Sequence, residues 1–255
     1  MADYDPTLRD TLEYGWLRGP AVVEGDSIVM PVSTAEKYDP LACQDSIGLA
    51  LAAVPARFLR DELHPGIEIE RTLAFVAKFG PLSYAWPRKV GSSRVIKVSL
   101  RAHIDTAWEL CFVLDTATEV RKSTAGDRHA LRHLWESTGK AVTAPRGRAM
   151  VEFLREKTKE AAATADSALP FCVLGLGGHP TDPGRFEFQY DPSDLEALCY
   201  LDIARRLVAR ESIAECADPL CLTFFLQHDA RQRYCTKQCA QRVRYHRWAN
   251  RHSLR

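Results

Sequence analysis

Apolar positions recur along this chain mostly at helical spacing. Ile47, Ala50, Leu51, Val54 and Phe58 predict a helix over about 45–60, which Pro55 would kink or split. Ile69, Leu73 and Val76 predict a second over 67–79, stopped by Gly80-Pro81. After a loop at 85–95, Ile104, Ala107, Trp108, Cys111, Leu114 and Thr118 predict a long amphipathic helix over about 97–121. Asp127 suits the cap of a short helix carrying Leu131, Leu134 and Trp135, and Met150, Phe153, Leu154 and Ala161 carry another over about 146–163. Asp191-Pro192 reads as a cap followed by a first-turn proline, opening a helix to about Arg210 on Leu195, Cys199, Ile203 and Leu207.

Looser alternation marks the rest. Gly19 to Val32, with Glu24-Gly25-Asp26 as its turn, predicts a hairpin; Leu169–Leu176 and Arg185–Tyr190 predict a second. Residues 1–14 read as a polar leader or short helix. The expected fold is mainly α with small β-hairpins, an α+β body over 1–212 followed by a compact module over 213–255.

Composition changes little in this picture. A hydrophobic fraction of 46% and a charged fraction of 26% are ordinary for a globular protein. No apolar run reaches the eighteen or so residues of a membrane span, and the acidic start lacks the pattern of a secretion signal. A cytoplasmic, nucleoid-associated location is the expectation. Of eight cysteines, Cys43, Cys111, Cys172 and Cys199 lie singly among apolar residues and read as small buried hydrophobes.

The other four are grouped. Cys216 and Cys221, thirteen residues, then Cys235 and Cys239 give C-x4-C-x13-C-x3-C. Two close pairs joined by a strand-and-turn spacer can aim four thiolates at one point, which is the requirement of a structural Zn2+ site with no position open to substrate, and make 213–255 a zinc-ribbon or treble-clef module. A redox pair, or a site in which His228 or His246 replaces one sulfur, uses the same residues. Phe224 and Phe225 pack under the site or form an ordinary strand pair.

Charge is divided between the two parts. The net formal charge is +1, yet from Ala230 onward there are eight bases and no acid, leaving 26 bases against all 33 acids before it, a balance of −7. The basic end is a predicted helix over about 238–251, with Arg244, Arg247 and Arg251 on one side and Tyr245 and Trp248 interleaved. Arginine forks suit phosphates and guanine edges. Arg233, Lys237, Arg242, Arg244, Arg247 and Arg251 are therefore the candidate nucleic-acid contacts, with Arg242 at a base or phosphate. Trp248 is expected to brace the helix against the metal core, with stacking on a base as the alternative.

This end of the chain resembles the CGNR-type zinc fingers. The matching parts are the leading helix Leu195 to Arg210, the knuckle Cys216 to Cys221, Phe224-Phe225, Arg231 to Arg233, Tyr234-Cys235 and the basic helix Gln241 to Arg251. Cys239-Ala240-Gln241-Arg242 stands where the family has Cys-Gly-Asn-Arg, and the last knuckle has three intervening residues where four are expected. Upstream, Leu73-Ala74-Phe75-Val76 stands for the N-terminal motif of the helical domain called ABATE. The resemblance implies a DNA-binding, stress-responsive regulator.

No catalytic pattern competes. Gly175-Leu176-Gly177-Gly178 is followed by His179-Pro180, so it reads as a turn and not a phosphate loop. His129 and His133 share a helix face without a third ligand, and His103 and Asp105 face different sides. The expected protein is not an enzyme but a zinc-dependent DNA-binding protein, a transcription regulator whose body takes a small-molecule ligand or self-associates. A zinc-stabilised protein-interaction module and an RNA-binding protein are the alternatives.

Overall fold

A computed structural model describes residues 16–38, 46–55, 65–82, 88–90, 93–138, 147–168, 172–178, 186–192 and 195–252. The leader expected over 1–14, Cys43 and Phe58 lie outside these residues. Among the described residues the helices are α1 (Ile47–Ala52), α2 (Pro65–Phe79), α3 (Leu100–Thr124), α4 (Arg128–Glu136), α5 (Gly147–Ala168), α6 (Leu195–Val208) and α7 (Lys237–His252). The strands are β1 (Trp16–Arg18), β2 (Val22–Glu24), β3 (Ser27–Pro31), β4 (Glu36–Tyr38), β5 (Arg88–Val90), β6 (Ser93–Ser99), β7 (Cys172–Gly178), β8 (Phe186–Pro192), β9 (Ile213–Glu215) and β10 (Phe224–Leu226). The mainly α fold with small antiparallel sheets is as the periodicity predicts.

Local chemistry sets most boundaries. Ser46 caps α1, accepting from the Leu49 N–H at 3.2 Å, and the helix ends ahead of Pro55. The carbonyls of Ala53 and Pro55 then accept from Arg71 on α2 at 3.1 and 3.0 Å. Gly80 ends α2 at φ +86, where a Cβ would lie 2.2 Å from the Leu17 carbonyl oxygen. Gly48 lets α1 cross α6 closely, since a Cβ there would stand 2.6 Å from the Cys199 carbonyl oxygen. Asp127 caps α4 as expected, accepting from the N–H groups of His129 and Ala130.

Several boundaries differ from the periodicity, and the loop expected over 85–95 holds β5 and the start of β6. The long helix starts at Leu100, capped by Ser99, because residues 93–99 form β6. There Val95, Ile96 and Val98 are buried while Lys97 and Ser99 are exposed, so strand pairing with β3 outcompetes helix extension. The first hairpin thereby becomes part of a four-stranded antiparallel sheet in the order β2-β3-β6-β5. Asp191 and Pro192 belong to β8, paired with Val173 and Cys172 of β7, so the cap-and-proline reading is wrong and α6 opens at Leu195.

One buried cluster joins sheet and helices. It includes Ile28, Met30 and Ile96 from the sheet, Leu110 and Leu114 from α3, and Leu195 and Ile203 from α6. Cys111 and Cys199 are buried within it, as expected of single cysteines. His103 is also inside: Leu82 N–H donates to its Nε2 at 3.0 Å, so Nδ1 carries the proton and donates to the Ser99 carbonyl at 2.9 Å. Burial lowers its pKa to about 4, partly offset by that backbone bond. Trp108, expected inward, is exposed instead, because His103, Thr106 and Ala107 fill that face. Between α3, α5 and α6 lies a mostly apolar cavity of about 600 Å³, walled by Val113, Ala117, Ala161, Ala204 and Leu207 among others. No described helix is long and apolar enough to cross a membrane.

The same cluster continues past residue 212 into Ile213 and Phe224. The junction is tightly tied. Arg210 adopts φ 57, and Glu211 N–H donates to the Arg206 carbonyl to close α6. Arg206 pairs with both Asp202 and Glu211, and Arg121 of α3 donates to the Glu211 carbonyl at 2.9 Å.

Candidate metal centre

Strands β9 and β10 pair antiparallel, with Phe225 opposite Ala214, and the six residues Cys216 to Cys221 bulge from their end. The Cys216 N–H donates to the Thr223 carbonyl, and the Cys221 N–H to the Asp218 carbonyl. Leu222, at φ 52, turns the chain back into β10. The Ala217 N–H donates to the Arg233 carbonyl at 2.8 Å, which ties this knuckle to the segment entering the second cysteine pair. Thr236 then caps α7, its hydroxyl accepting from the Cys239 N–H at 3.2 Å. Cys235 and Cys239 thus flank a capped first turn.

The four sulfurs lie within 4.8 Å of one another. Cys221 to Cys235 and Cys235 to Cys239 are both 3.6 Å apart, far beyond a disulfide bond of about 2.05 Å. Four sulfurs bonded at about 2.3 Å to one tetrahedral ion would be about 3.8 Å apart, so the spacing fits a single metal. None of the four is in a disulfide. Neither His228 nor His246 joins them, which removes the mixed-ligand alternative. Among the described residues no other group of three or more such ligands comes together. Glu119 does approach His133, at 3.9 Å, but they remain a pair.

The surroundings suit thiolates held by a cation. Cys216 and Cys239 are buried, and Phe225 packs on them, while Phe224, pointing the other way along β10, enters the main core. Both readings of the Phe pair therefore hold, one for each ring. Burial pushes the Cys216 and Cys235 thiols up. At Cys239 burial also raises the pKa, but hydrogen bonds from Thr236, Cys235 and Arg242 outweigh it and hold the thiol below its ordinary value. Cys235 N–H points at the Cys216 sulfur at 3.5 Å. With four sulfurs converging, no coordination position is left for substrate.

Asp218 was not legible as a site residue. It is 1% exposed, accepts from the Leu220 N–H at 3.1 Å and receives the Arg242 Nε at 2.8 Å. Arg242 also reaches the Cys239 sulfur at 3.6 Å. The residue expected at a base or phosphate is thus engaged with Asp218, clamping the knuckle to α7, while its side chain stays 41% exposed. An Asp two residues before a backbone N–H inside a cysteine knuckle was the available signal, since that spacing makes a side-chain turn.

The remaining cations face outward. Arg231, Arg233, Lys237 and Arg244 line a cleft of about 470 Å³ between the turn before Cys235 and the first turns of α7. Arg247 and Arg251 continue along the helix and are exposed. None of the ion pairs among the described residues involves these six. Trp248 does not brace the core. It is 55% exposed and stacks on His252 with ring centroids 4.6 Å apart, beside Tyr245 at 6.1 Å.

Compared with known proteins, the chain matches no protein-family model and no curated protein. The likeness to CGNR-type fingers therefore rests on the residues quoted for it alone.

Proposed function

We propose that the chain is a zinc-dependent DNA-binding protein, a regulator that presents its arginine-bearing last helix to the phosphate backbone. The observation that carries this is a track of six exposed cations, Arg231, Arg233, Lys237, Arg244, Arg247 and Arg251, built on a four-cysteine site. From Lys237 to Arg251 the track runs about 21 Å at 1.5 Å per residue, enough to follow about six base pairs.

Zinc is the ion this donor set favours, since four thiolates in a tetrahedron select zinc or an iron–sulfur centre. We read the order of knuckle, strand and capped helix as a treble clef rather than a ribbon. Cys216, Cys221, Cys235 and Cys239 hold the ion, and Asp218 and Arg242 lock the knuckle against the helix. Zinc's role is to order the module; the arginines do the binding. Among the described residues these six cations make no ion pair with the remainder of the chain.

Fluorescence anisotropy on a labelled 20-mer duplex, over a salt series, tests the reading. Neutralising five or six phosphates gives log K against log salt a slope of about −4.5 to −5.4. Arg244→Glu with Arg247→Glu should remove binding. A flat salt response, or metal analysis showing no zinc in the purified protein, would end the proposal.

A further inference from the structure

The arginine stripe is not the only exposed feature of α7. Taking 100° per residue, Arg244, Arg247 and Arg251 lie within about 60° of one another, and Tyr245, Trp248 and His252 occupy the next 60° or so. Tyr245 is 64% exposed and Trp248 55%. The three rings form a ladder: Tyr245 to Trp248 at 6.1 Å, then Trp248 to His252 at 4.6 Å with planes 29° apart. The His252 Nδ1 meets the Trp248 carbonyl at 2.8 Å, which fixes the last ring in place.

A ladder of aromatic faces beside a cationic track has little to offer a duplex. Paired bases are already stacked on their neighbours and present only their edges in the grooves. Unpaired bases have free π-faces, and proteins that hold single strands combine a basic groove for the backbone with aromatic rings for successive bases. An exposed tryptophan and tyrosine also cost solvation if nothing covers them, and the adjoining positive charge selects an anionic partner.

We infer that α7 binds single-stranded nucleic acid in preference to duplex. The backbone runs along the cleft of Arg233, Lys237 and Arg244 and onto Arg247 and Arg251, and unpaired bases stack on Tyr245 and Trp248. This rests on the proposed nucleic-acid function and narrows its substrate to strands with exposed bases, such as melted or looped segments.

The test uses the full-length, metal-loaded chain and one labelled mixed-sequence 20-mer, presented single-stranded and as its duplex. Both aromatics are largely exposed, so Tyr245→Leu with Trp248→Leu leaves the fold intact, which circular dichroism and metal content check. The wild type should bind the single strand at least tenfold more tightly than the duplex. The double variant should lose ten- to a hundredfold on the single strand and less than threefold on the duplex. Binding should also quench the Trp248 contribution to fluorescence. Oligo-dT and oligo-rU arms show which sugar is favoured, and a preference for either over duplex supports the inference.

Equal or tighter binding to duplex, or a single-strand affinity indifferent to the loss of both rings, overturns the inference and leaves the proposed function standing. Binding to neither form overturns both.

Discussion

The clamp between Asp218 and Arg242 allows a quantitative prediction. Asp218→Ala removes a charge-assisted hydrogen bond, ordinarily worth about 1.5–3 kcal/mol. The Arg242 side chain is 41% exposed, so water re-solvates much of it once freed, and about 1 kcal/mol is the appropriate share. The substitution also strips the Leu220 N–H of its acceptor inside the knuckle, adding about 1 kcal/mol. On the proposed reading the module folds around zinc, so the loss of about 2 kcal/mol should appear as an apparent zinc dissociation constant raised about thirtyfold. Competition against a chromophoric chelator measures it. Arg242→Gln should cost about 1 kcal/mol, and the double variant should be less harmful than the sum by a coupling of about 1 kcal/mol. Affinity within threefold of wild type for Asp218→Ala, or strict additivity, would refute the clamp and return Arg242 to the outward-facing cations.

Three further outcomes are expected. Exhaustive chelation should unfold α7 and the β9–β10 pair and also lower the melting temperature of the body, because Ile213 and Phe224 lie in the main core; calorimetry with circular dichroism checks it, and an unchanged body transition would contradict it. His103 should stay neutral, with the proton on Nδ1, down to pH 5 by NMR. Its folded pKa of about 4 lies below the ordinary 6.5, so the stability it carries is complete above 6.5 and lost as pH falls toward 4, by up to about 3 kcal/mol. Ala117→Leu, which grows into the 600 Å³ cavity, should raise stability by about 1 kcal/mol in urea unfolding.

The elements read correctly from sequence were those with local signals. Asp127, Gly80 and the alternation around Gly25 each act within a few residues, and so does each cysteine pair taken singly. Strand β6 was hidden because Val95, Ile96 and Val98 run into the apolar series of α3 with no glycine or proline between. Only pairing with β3, more than sixty residues upstream, decides between strand and helix. Trp108 failed for a related reason: polar His103 and Thr106 are buried with partners, which rotates the inward face away from the indole. Within the site the ligands were legible, but the Asp218–Arg242 contact spans 24 residues and depends on how the knuckle folds back. Trp248 was misplaced because α7 projects past Val243, its last buried residue, leaving nothing for the ring to brace against.

The absence of slack between α6 and β9 has a wider consequence. Ile213 follows the end of α6 by five positions, and Phe224 plugs the same apolar interior as Leu195 and Ile203. On the proposed zinc-bound reading, losing the ion would not free a dangling tail; it would pull a stopper from the body and bare greasy side chains to proteases and to aggregation. Metal supply would then govern how much of this protein persists.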